Sequence, residues 1–385
     1  MLKLFPQSKE LCCGCGACFQ VCPHNCIVMN EDEEGFSYPF INQSKCINCG
    51  LCKKVCPFNS SLQGVIPLDV YAAINTDSLE RTQSSSGGIF SVIADAIIKQ
   101  GGIVFGAKFD KDWSVYHVGV ENMEELNSLR GSKYLQSWMG DEYRHAEEEL
   151  KKGRKVLFCG TPCQIAGLKH YLHMDYDNLI TIDFVCHGVP SPKLWKWYLN
   201  HSLSIRSSDI TGVCFRDKTN GWSNYEIRID HTGDSNNSVY AVPFWSDSYM
   251  KAFLSNLSLR PSCYSCKVKC GRSHSDMTLG DFWGVDNIAP SYYDDKGTSL
   301  VMTNTLKSTK LLESDNIKKS KVDFKQAIAN NWCWERSVEK NDNRALFFRR
   351  YKKHPEDFDD FVKEIEHKRS SVFALIKRRL KRWFY

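Results

Sequence analysis

The sequence has no long apolar segment. No run of about 18 consecutive apolar residues occurs anywhere in the 385 residues, which excludes a membrane-spanning helix. The stretch before the first cysteine, residues 1–11, also lacks the apolar core of a secretory signal peptide. We therefore expect a cytoplasmic protein whose thiols stay reduced.

The composition is not that of a disordered or fibrous chain. Hydrophobic residues make up 42% and charged residues 25%, which is ordinary for globular proteins, and the length allows two or more domains. The formal net charge of +5 arises at one end, because residues 367–385 contain seven Lys or Arg and no acid. The rest of the chain carries 43 basic against 45 acidic residues. Since the basic stretch is confined to the end, we do not expect nucleic-acid binding.

Cysteine is the residue that the chain has in excess. It has 18 cysteines, ten of them within the first 56 residues and three more close together at Cys263, Cys266 and Cys270. A disulfide framework is typical of short secreted chains, which this sequence does not resemble. The distribution therefore predicts that most of these thiols bind metal.

Two segments, residues 12–23 and 46–57, share the spacing Cys-x2-Cys-x2-Cys-x3-Cys-Pro. This is the bacterial ferredoxin pattern, in which three thiolates bind one 4Fe–4S cluster and the fourth cysteine binds the other cluster. A pair of zinc knuckles is the alternative, but two copies of this pattern, each ending in Cys-Pro, favour iron–sulfur clusters. The predicted ligands are Cys12, Cys15, Cys18 and Cys56 for cluster 1, and Cys46, Cys49, Cys52 and Cys22 for cluster 2. Cys13 and Cys26 are surplus and are predicted to be buried thiols.

The chain after residue 67 has the pattern of a mixed α/β domain. A serine-glycine loop at residues 84–88 precedes an apolar stripe of helical spacing at residues 89–97, and residues 103–109 read as a strand. Such a loop presents N–H groups that suit a phosphate or a flavin edge, although it also serves as an ordinary helix cap.

Residues 155–185 predict a βαβ unit. Strands at 155–158 and 179–185 flank a helix at 162–171, which implies parallel strands joined by a right-handed crossover. Cys163 and Cys186 follow the carboxyl ends of these strands and should lie at one edge of the sheet, where open α/β folds build their sites. The predicted fold class is therefore α/β (α+β overall), with a parallel βαβ core after the ferredoxin-like two-cluster module.

A third metal site is predicted from Cys163 and Cys186 together with two or three of the cysteines at 263, 266 and 270. These thiolates come from distant segments of the chain. Another 4Fe–4S cluster is the most economical occupant, and structural zinc is the alternative. A third interpretation makes Cys163 a nucleophile at the start of its helix. Cys159, Cys214 and Cys333 are predicted to be core residues.

With these features assembled, the chain resembles the coenzyme F420 hydrogenase/dehydrogenase beta-subunit family, which includes the plant 7-hydroxymethyl chlorophyll a reductase. The resemblance extends from about residue 8 to residue 285. It is carried by the two cysteine runs and by motifs at residues 85–88, 130–137, 160–164, 186–191, 260–266 and 276–284.

The resemblance implies a flavin-binding α/β domain that carries FAD, receives electrons from iron–sulfur clusters and exchanges hydride with a substrate. The residues that would line the FAD site are Ser86, Gly87, Gly88, Ser132, Lys133, Tyr134, Gln136, Ser137, Gly160 and Thr161. Lys133 would stabilise the anionic reduced flavin, the alternative being a solvated surface lysine. The third cluster would take Cys163, Cys186, Cys263 and Cys266, with Cys270 as a substitute.

The predicted function is that of an iron–sulfur flavoprotein oxidoreductase that acts on a small molecule or a deazaflavin-type coenzyme and has a redox partner protein or subunit. The alternatives are a non-catalytic electron relay in a larger complex and a structural metal-binding module. The predicted domains are a ferredoxin domain at 1–66, the FAD and iron–sulfur domain at 67–300, and a helical extension at 301–385. The basic amphipathic end, residues 367–385, suits an anionic membrane surface, the alternative being a basic tail that binds an acidic partner or is simply solvated.

Overall fold

The computed structural model describes residues 2–6, 8–232, 237–354, 356 and 358–365. The predicted basic tail at residues 367–385 lies outside these described residues. No helix in the described ranges is long and apolar enough to cross a membrane.

The strands of the described residues form three sheets. They are β1 (Leu2–Leu4), β2 (Ile27–Glu31), β3 (Ser37–Asn42), β4 (Asp69–Asn75), β5 (Ile103–Phe109), β6 (Val115–Val120), β7 (Val156–Cys159), β8 (Leu179–Phe184), β9 (Ile210–Asp217), β10 (Glu226–Thr232), β11 (Asn237–Pro243), β12 (Met277–Asp281), β13 (Ser299–Thr303) and β14 (Ile317–Lys321).

The α-helices of the described residues are mostly short. They are α1 (Ala17–Gln20), α2 (Leu51–Lys54), α3 (Ser78–Gln83), α4 (Ile89–Lys99), α5 (Met123–Leu129), α6 (Glu142–Lys151), α7 (Pro162–Leu172), α8 (Pro192–Trp197), α9 (Ser248–Leu254), α10 (Val285–Ile288), α11 (Leu306–Leu311), α12 (Phe324–Ala329) and α13 (Arg344–Lys353).

The N-terminal region is a small ferredoxin-like unit, as predicted. Its antiparallel sheet has the order β1-β3-β2, and the two cysteine runs fold alike. In each run a glycine in the left-handed region, Gly16 at φ 79° and Gly50 at φ 77°, reverses the chain before a one-turn helix. A side chain would strain this backbone, so glycine allows the second and third cysteines of each run to face one centre.

The large domain is built on an eight-stranded mixed sheet of order β14-β4-β13-β12-β8-β7-β5-β6. Its central strands β5, β7, β8 and β12 are parallel, and the flanking pairs are antiparallel. The predicted βαβ unit is confirmed, since β7 and β8 are parallel neighbours joined through α7. The fold is therefore mixed α/β with a parallel core.

The sheet extends further along the chain than the sequence pattern indicates. The predicted domain boundary at residue 300 falls inside β13, and β14 pairs with β4 at the edge of the sheet. Residues up to 321 therefore belong to the large domain, and the predicted helical extension begins with strand. The sequence Ile-Lys-Lys-Ser-Lys of β14 carries little apolar alternation because charged residues protect an exposed edge strand.

The second small sheet, of order β11-β10-β9, packs with the N-terminal unit and with α13 around one aromatic core. Phe36 and Tyr38 of the N-terminal hairpin, Trp195 of α8 and Phe347 of α13 are buried in this core. The ferredoxin-like unit is consequently held against the large domain by buried apolar contact, which fixes the cysteine runs relative to the sheet.

Candidate functional site

The first predicted set of cysteines comes together beside the large domain. Burial, followed by the nearby thiols of Cys12 and Cys56, raises the pKa of Cys18. Cys15 lies next to Cys18 and Cys56 and packs against α7, where a side chain at Gly167 would lie 2.9 Å from its Sγ. The structure thus groups the four predicted ligands of cluster 1 and places them against the helix that begins at Pro162.

The second set lies closer to the surface. Burial, followed by the thiols of Cys46, Cys49 and Cys22, raises the pKa of Cys52, so the four predicted ligands of cluster 2 are neighbours. Cys49 is exposed. The surplus Cys26 is buried as predicted, and its Sγ lies 3.2 Å from that of Cys22.

The third set joins three distant segments. Burial raises the pKa of Cys186, and the thiols of Cys263, Cys163 and Cys266 contribute to the shift. Cys163 begins α7 and Cys186 follows β8, so both lie at the carboxyl edge of the parallel strands, as predicted. Cys270, the proposed substitute, donates its thiol to the carbonyl of Glu335 at 2.9 Å instead.

These thiol sets do not have the geometry of single-ion sites. In the part of the chain that the structure describes, no group of three or more His, Cys, Asp or Glu residues could hold one metal ion. Structural zinc requires four ligands within about 2.3 Å of the ion. A cube of four irons and four sulfides is wider than one ion, so thiolates that surround it lie further apart than the ligands of a single zinc.

The surplus thiol of Cys13 links the first and third sets. It is buried, and it interacts with the thiol of Cys15 on one side and that of Cys163 on the other. Its carbonyl accepts a hydrogen bond from Gln136 Nε2 at 3.1 Å. Because Cys18 also lies near Cys52, the second, first and third sets form a series that runs from the surface inward.

The third set borders a large cavity at the edge of the parallel strands. The cavity has a volume of about 530 Å³, and Cys13, Cys163 and Cys186 lie in its wall. The predicted FAD residues that line it are Ser86, Gly88, Ser132, Lys133, Tyr134, Gln136, Ser137, Gly160 and Thr161. Gly87 lies behind the wall, where a Cβ would come 2.5 Å from the carbonyl oxygen of Ala73.

Two lysines hold the loops of the cavity. Lys133 Nζ donates to the carbonyls of Leu129, Arg130 and Gly131 at 3.3, 2.8 and 3.2 Å, and burial lowers its pKa to about 8. Since an ammonium has three protons, all are engaged with backbone. Lys133 is thus not a solvated surface lysine, because its ammonium is engaged with the backbone of its own loop. Lys218 Nζ acts in the same way, donating to three carbonyls that include that of Ser86 at 3.1 Å.

A hydrogen-bonded chain of side chains forms one side of the cavity. Gln164 Nε2 donates to Ser137 Oγ at 2.9 Å, and Ser137 Oγ lies 3.0 Å from His117 Nδ1. His117 Nε2 lies 3.1 Å from the carbonyl of Cys159, so Nε2 carries the proton and Nδ1 accepts from Ser137. Burial lowers the pKa of His117 to about 4, which keeps the ring neutral near pH 7.

The opposite wall is aromatic and cationic. Arg216 is buried, donates to both carboxylate oxygens of Asp281 at 2.9 and 3.2 Å, and lies 4.0 Å from the ring centre of Tyr225. Cys159 and Cys333 line the cavity and also pack, partly buried, against the hydrophobic core. Cys214 is likewise only partly buried.

Three features of the cavity suit a flavin nucleotide: its volume, its unpartnered donors and a glycine in its wall. Its volume lies within the range of about 300–1,000 Å³ for cofactor pockets. Arg216 Nε and Arg130 Nε, both from wall residues, are buried donors without a partner in the described structure. Gly88, at φ 82°, begins α4 and lets the backbone approach a ligand closely.

Sequence reasoning missed four residues that now stand out: His117, Arg216, Lys218 and Arg260. Arg260 is completely buried and lies between the first and third thiol sets. It belongs to the motif at 260–266, which was the one available signal. The others lie on β6, on β9 or just after β9, and only the folded chain brings them to the cavity.

Three clustered thiol sets beside a ligand cavity define the class of iron–sulfur redox proteins. Comparison with protein families agrees: the family "4Fe-4S dicluster domain" matches residues 11–60, which supports two clusters in this region. The family defined by the C terminus of the coenzyme F420 hydrogenase/dehydrogenase beta subunit matches residues 153–328. The chain therefore contains an N-terminal 4Fe–4S dicluster domain and, over residues 153–328, the C-terminal domain of the coenzyme F420 hydrogenase/dehydrogenase beta subunit.

Among solved structures, the chain is similar to one from the xenon-derivatised F420-reducing [NiFe] hydrogenase complex of Methanosarcina barkeri. The two are 16% identical, with a TM-score of 0.46, over 80% of this chain and 93% of that chain. No curated protein sequence matches this chain significantly.

Proposed function

We propose that this protein is an iron–sulfur flavoprotein that passes electrons between 4Fe–4S clusters and FAD and exchanges hydride with a small molecule or a deazaflavin-type coenzyme. One observation carries the proposal. Nine of the ten residues predicted for the FAD site line the same cavity as Cys163 and Cys186 of the third thiol set.

The residues of the cavity have distinct parts in this proposal. The loops at 84–88 and 130–137 would hold the flavin nucleotide through backbone N–H groups and hydroxyls, and Lys133 and Lys218 keep these loops in place. Bound FAD would accept electrons singly and deliver them as a pair. His117 is neutral, and its Nδ1 orients the Ser137 hydroxyl that lines the cavity.

The arrangement of the thiol sets supports electron passage between the surface and the cavity. Cys49 of the second set is exposed, whereas Cys163 and Cys186 of the third set line the cavity. The first set lies between them, because Cys18 neighbours Cys52 and Cys13 bridges towards Cys163. A redox partner protein or subunit would then approach the exposed second set.

Quantification after anaerobic purification tests the proposal. We expect about twelve irons and about twelve acid-labile sulfides per chain, as three 4Fe–4S clusters require, together with about one releasable FAD. About eight irons would reject the third cluster and leave two. Full cluster content without releasable FAD would reject the flavoprotein and favour the second candidate, a non-catalytic relay within a larger complex, to which the name of the matching family points.

The basic segment at residues 367–385 is proposed to contact an anionic membrane surface, on the strength of its seven Lys and Arg residues and terminal aromatics. Truncation after residue 366 should reduce sedimentation with anionic vesicles and leave cluster content unchanged. Equal sedimentation of both forms would reject the membrane contact.

A further inference from the structure

Arg260 is a completely buried cation at the junction of the ferredoxin-like unit and the cavity. Its Nε donates to the carbonyl of Cys12 at 2.7 Å, and one terminal nitrogen donates to the carbonyl of Ser37 at 3.0 Å. The other terminal nitrogen donates to Gln136 Oε1 at 2.8 Å. Arg260 therefore contacts both cysteine-run backbone and a wall residue of the cavity.

No carboxylate among the described residues neutralises this charge. Within the described ranges of the chain, Arg260 forms no ion pair, whereas the buried Arg216 and Arg344 are each paired, with Asp281 and Glu34 respectively. Arginine does not lose its proton in proteins, so a buried guanidinium without a counter-charge is strongly unfavourable. The ring of Tyr38, 4.2 Å away, and the neutral carbonyls solvate the charge but do not cancel it.

Cysteines of two different sets lie close to Arg260. Its Nη2 lies 3.5 Å from Cys12 Sγ, which belongs to the first set. Cys263 donates its backbone N–H to the carbonyl of Arg260 at 2.9 Å. Cys263 belongs to the third set, so one cation faces cysteines of both.

We infer that Arg260 is the shared counter-charge of the first and third clusters. A 4Fe–4S cluster with four thiolates carries net negative charge and gains one more when reduced. A fixed cation between two such groups stabilises the reduced form of each, which raises both reduction potentials. Arg260 acts through the clusters rather than on a substrate, so it is a positioning residue that keeps these two clusters reducible at the donor's potential.

Redox titration of the purified protein by electron paramagnetic resonance tests this inference, with Arg260→Gln and Arg260→Lys as the paired variants. In R260Q, the reduced-to-oxidised ratio of the first and third clusters at a fixed potential should fall at least about tenfold, which corresponds to a shift of about 59 mV for one electron. R260K keeps the charge and should hold both ratios close to those of the parent protein. The second cluster, whose ligands lack this neighbour, should titrate unchanged in all forms and serves as the internal control.

The outcomes separate clearly. An unchanged reduction potential of the first or the third cluster in R260Q would overturn the shared role. Equal shifts of the potentials in R260K and R260Q would also overturn it, because the charge would then not matter. If R260Q does not assemble its clusters, the iron content of R260K is the deciding measurement. Retention of the first and third clusters in R260K supports the inference, and their loss overturns it. The inference rests on the third cluster proposed above, whose own failure would show separately as about eight irons per chain in the parent protein.

Discussion

The two N-terminal thiol sets and the third set are built in opposite ways. In the ferredoxin-like unit, all eight predicted ligands fall within two short runs, each shaped by a left-handed glycine. In the third set, Cys163 and Cys186 follow two parallel strands, and Cys263 and Cys266 come from a segment about 80 residues further on. Local spacing therefore specifies the first two sets, whereas the eight-stranded sheet assembles the third.

The two kinds of set also differ in their surroundings. Cys49 of the second set is exposed, while the third set borders the cavity and shares the buried Arg260 with the first. The environment of the inner sets is consequently set by tertiary contacts, and their chemistry should respond to substitutions that leave the second set unaffected.

The largest effect is expected from removing a ligand of the third set. Cys186→Ser should lower the iron content by about a third and abolish electron transfer to the cavity, because three thiolates hold a 4Fe–4S cluster poorly. Iron and sulfide quantification measures this. Cys270→Ser is the matched control and should retain full iron, since its thiol is engaged with Glu335. Equal iron loss in both variants would contradict the assigned ligand set.

The cavity can be tested by straining one of its loops. In Gly88→Ala, the new Cβ would come 3.1 Å from that of Asn75 on a backbone with φ 82°. A cost of about 1–2 kcal/mol should leave about fivefold to thirtyfold less bound FAD. Flavin released by denaturation measures occupancy. Gly153→Ala carries the same kind of backbone strain in open space and should keep its flavin. Full occupancy in G88A would remove this loop from the FAD site.

Exposure should make the second cluster the most labile. After oxidation, a chelator should remove the iron in two phases, of which the fast one, several-fold faster than the other, comes from the second cluster. The reason is that Cys49 is exposed, whereas Cys12 and Cys15 of the first set are buried. Cys49→Ser should eliminate the fast phase. If a fast phase of equal amplitude persisted in C49S, the inner clusters would be as accessible as the outer one.

The smallest effect concerns the pH dependence of stability. The pKa of His117 is lowered to about 4 in the folded protein, so between about pH 6.5 and 4 the unfolded chain binds the proton and stability falls as pH falls. His117→Gln should remove about 1.3 kcal/mol of the stability difference between pH 7 and pH 5.5. Denaturant unfolding at both pH values measures it. Equal differences in H117Q and the parent would refute the neutral buried state.

Much of the fold was predictable because its signals are local. The ferredoxin-like unit follows from cysteine spacing, and the βαβ unit at β7, α7 and β8 follows from apolar periodicity and from the thiols after each strand. The strand β14 was not predictable, since its lysines read as solvated chain until β4 provides a partner. The cavity beside Cys159 and Cys333 was not predictable either, since their apolar surroundings indicated only the core against which they also pack.

The sequence by itself determined which residues could bind clusters and which loops could approach a flavin, because these depend on residue type and on spacing within a few turns of chain. Tertiary structure alone decided that His117 joins the cavity wall and that Arg260 lies between two thiol sets. The contacts of His117 with Cys159 and of Arg260 with Cys12 join residues 42 and 248 positions apart, and no local pattern records them.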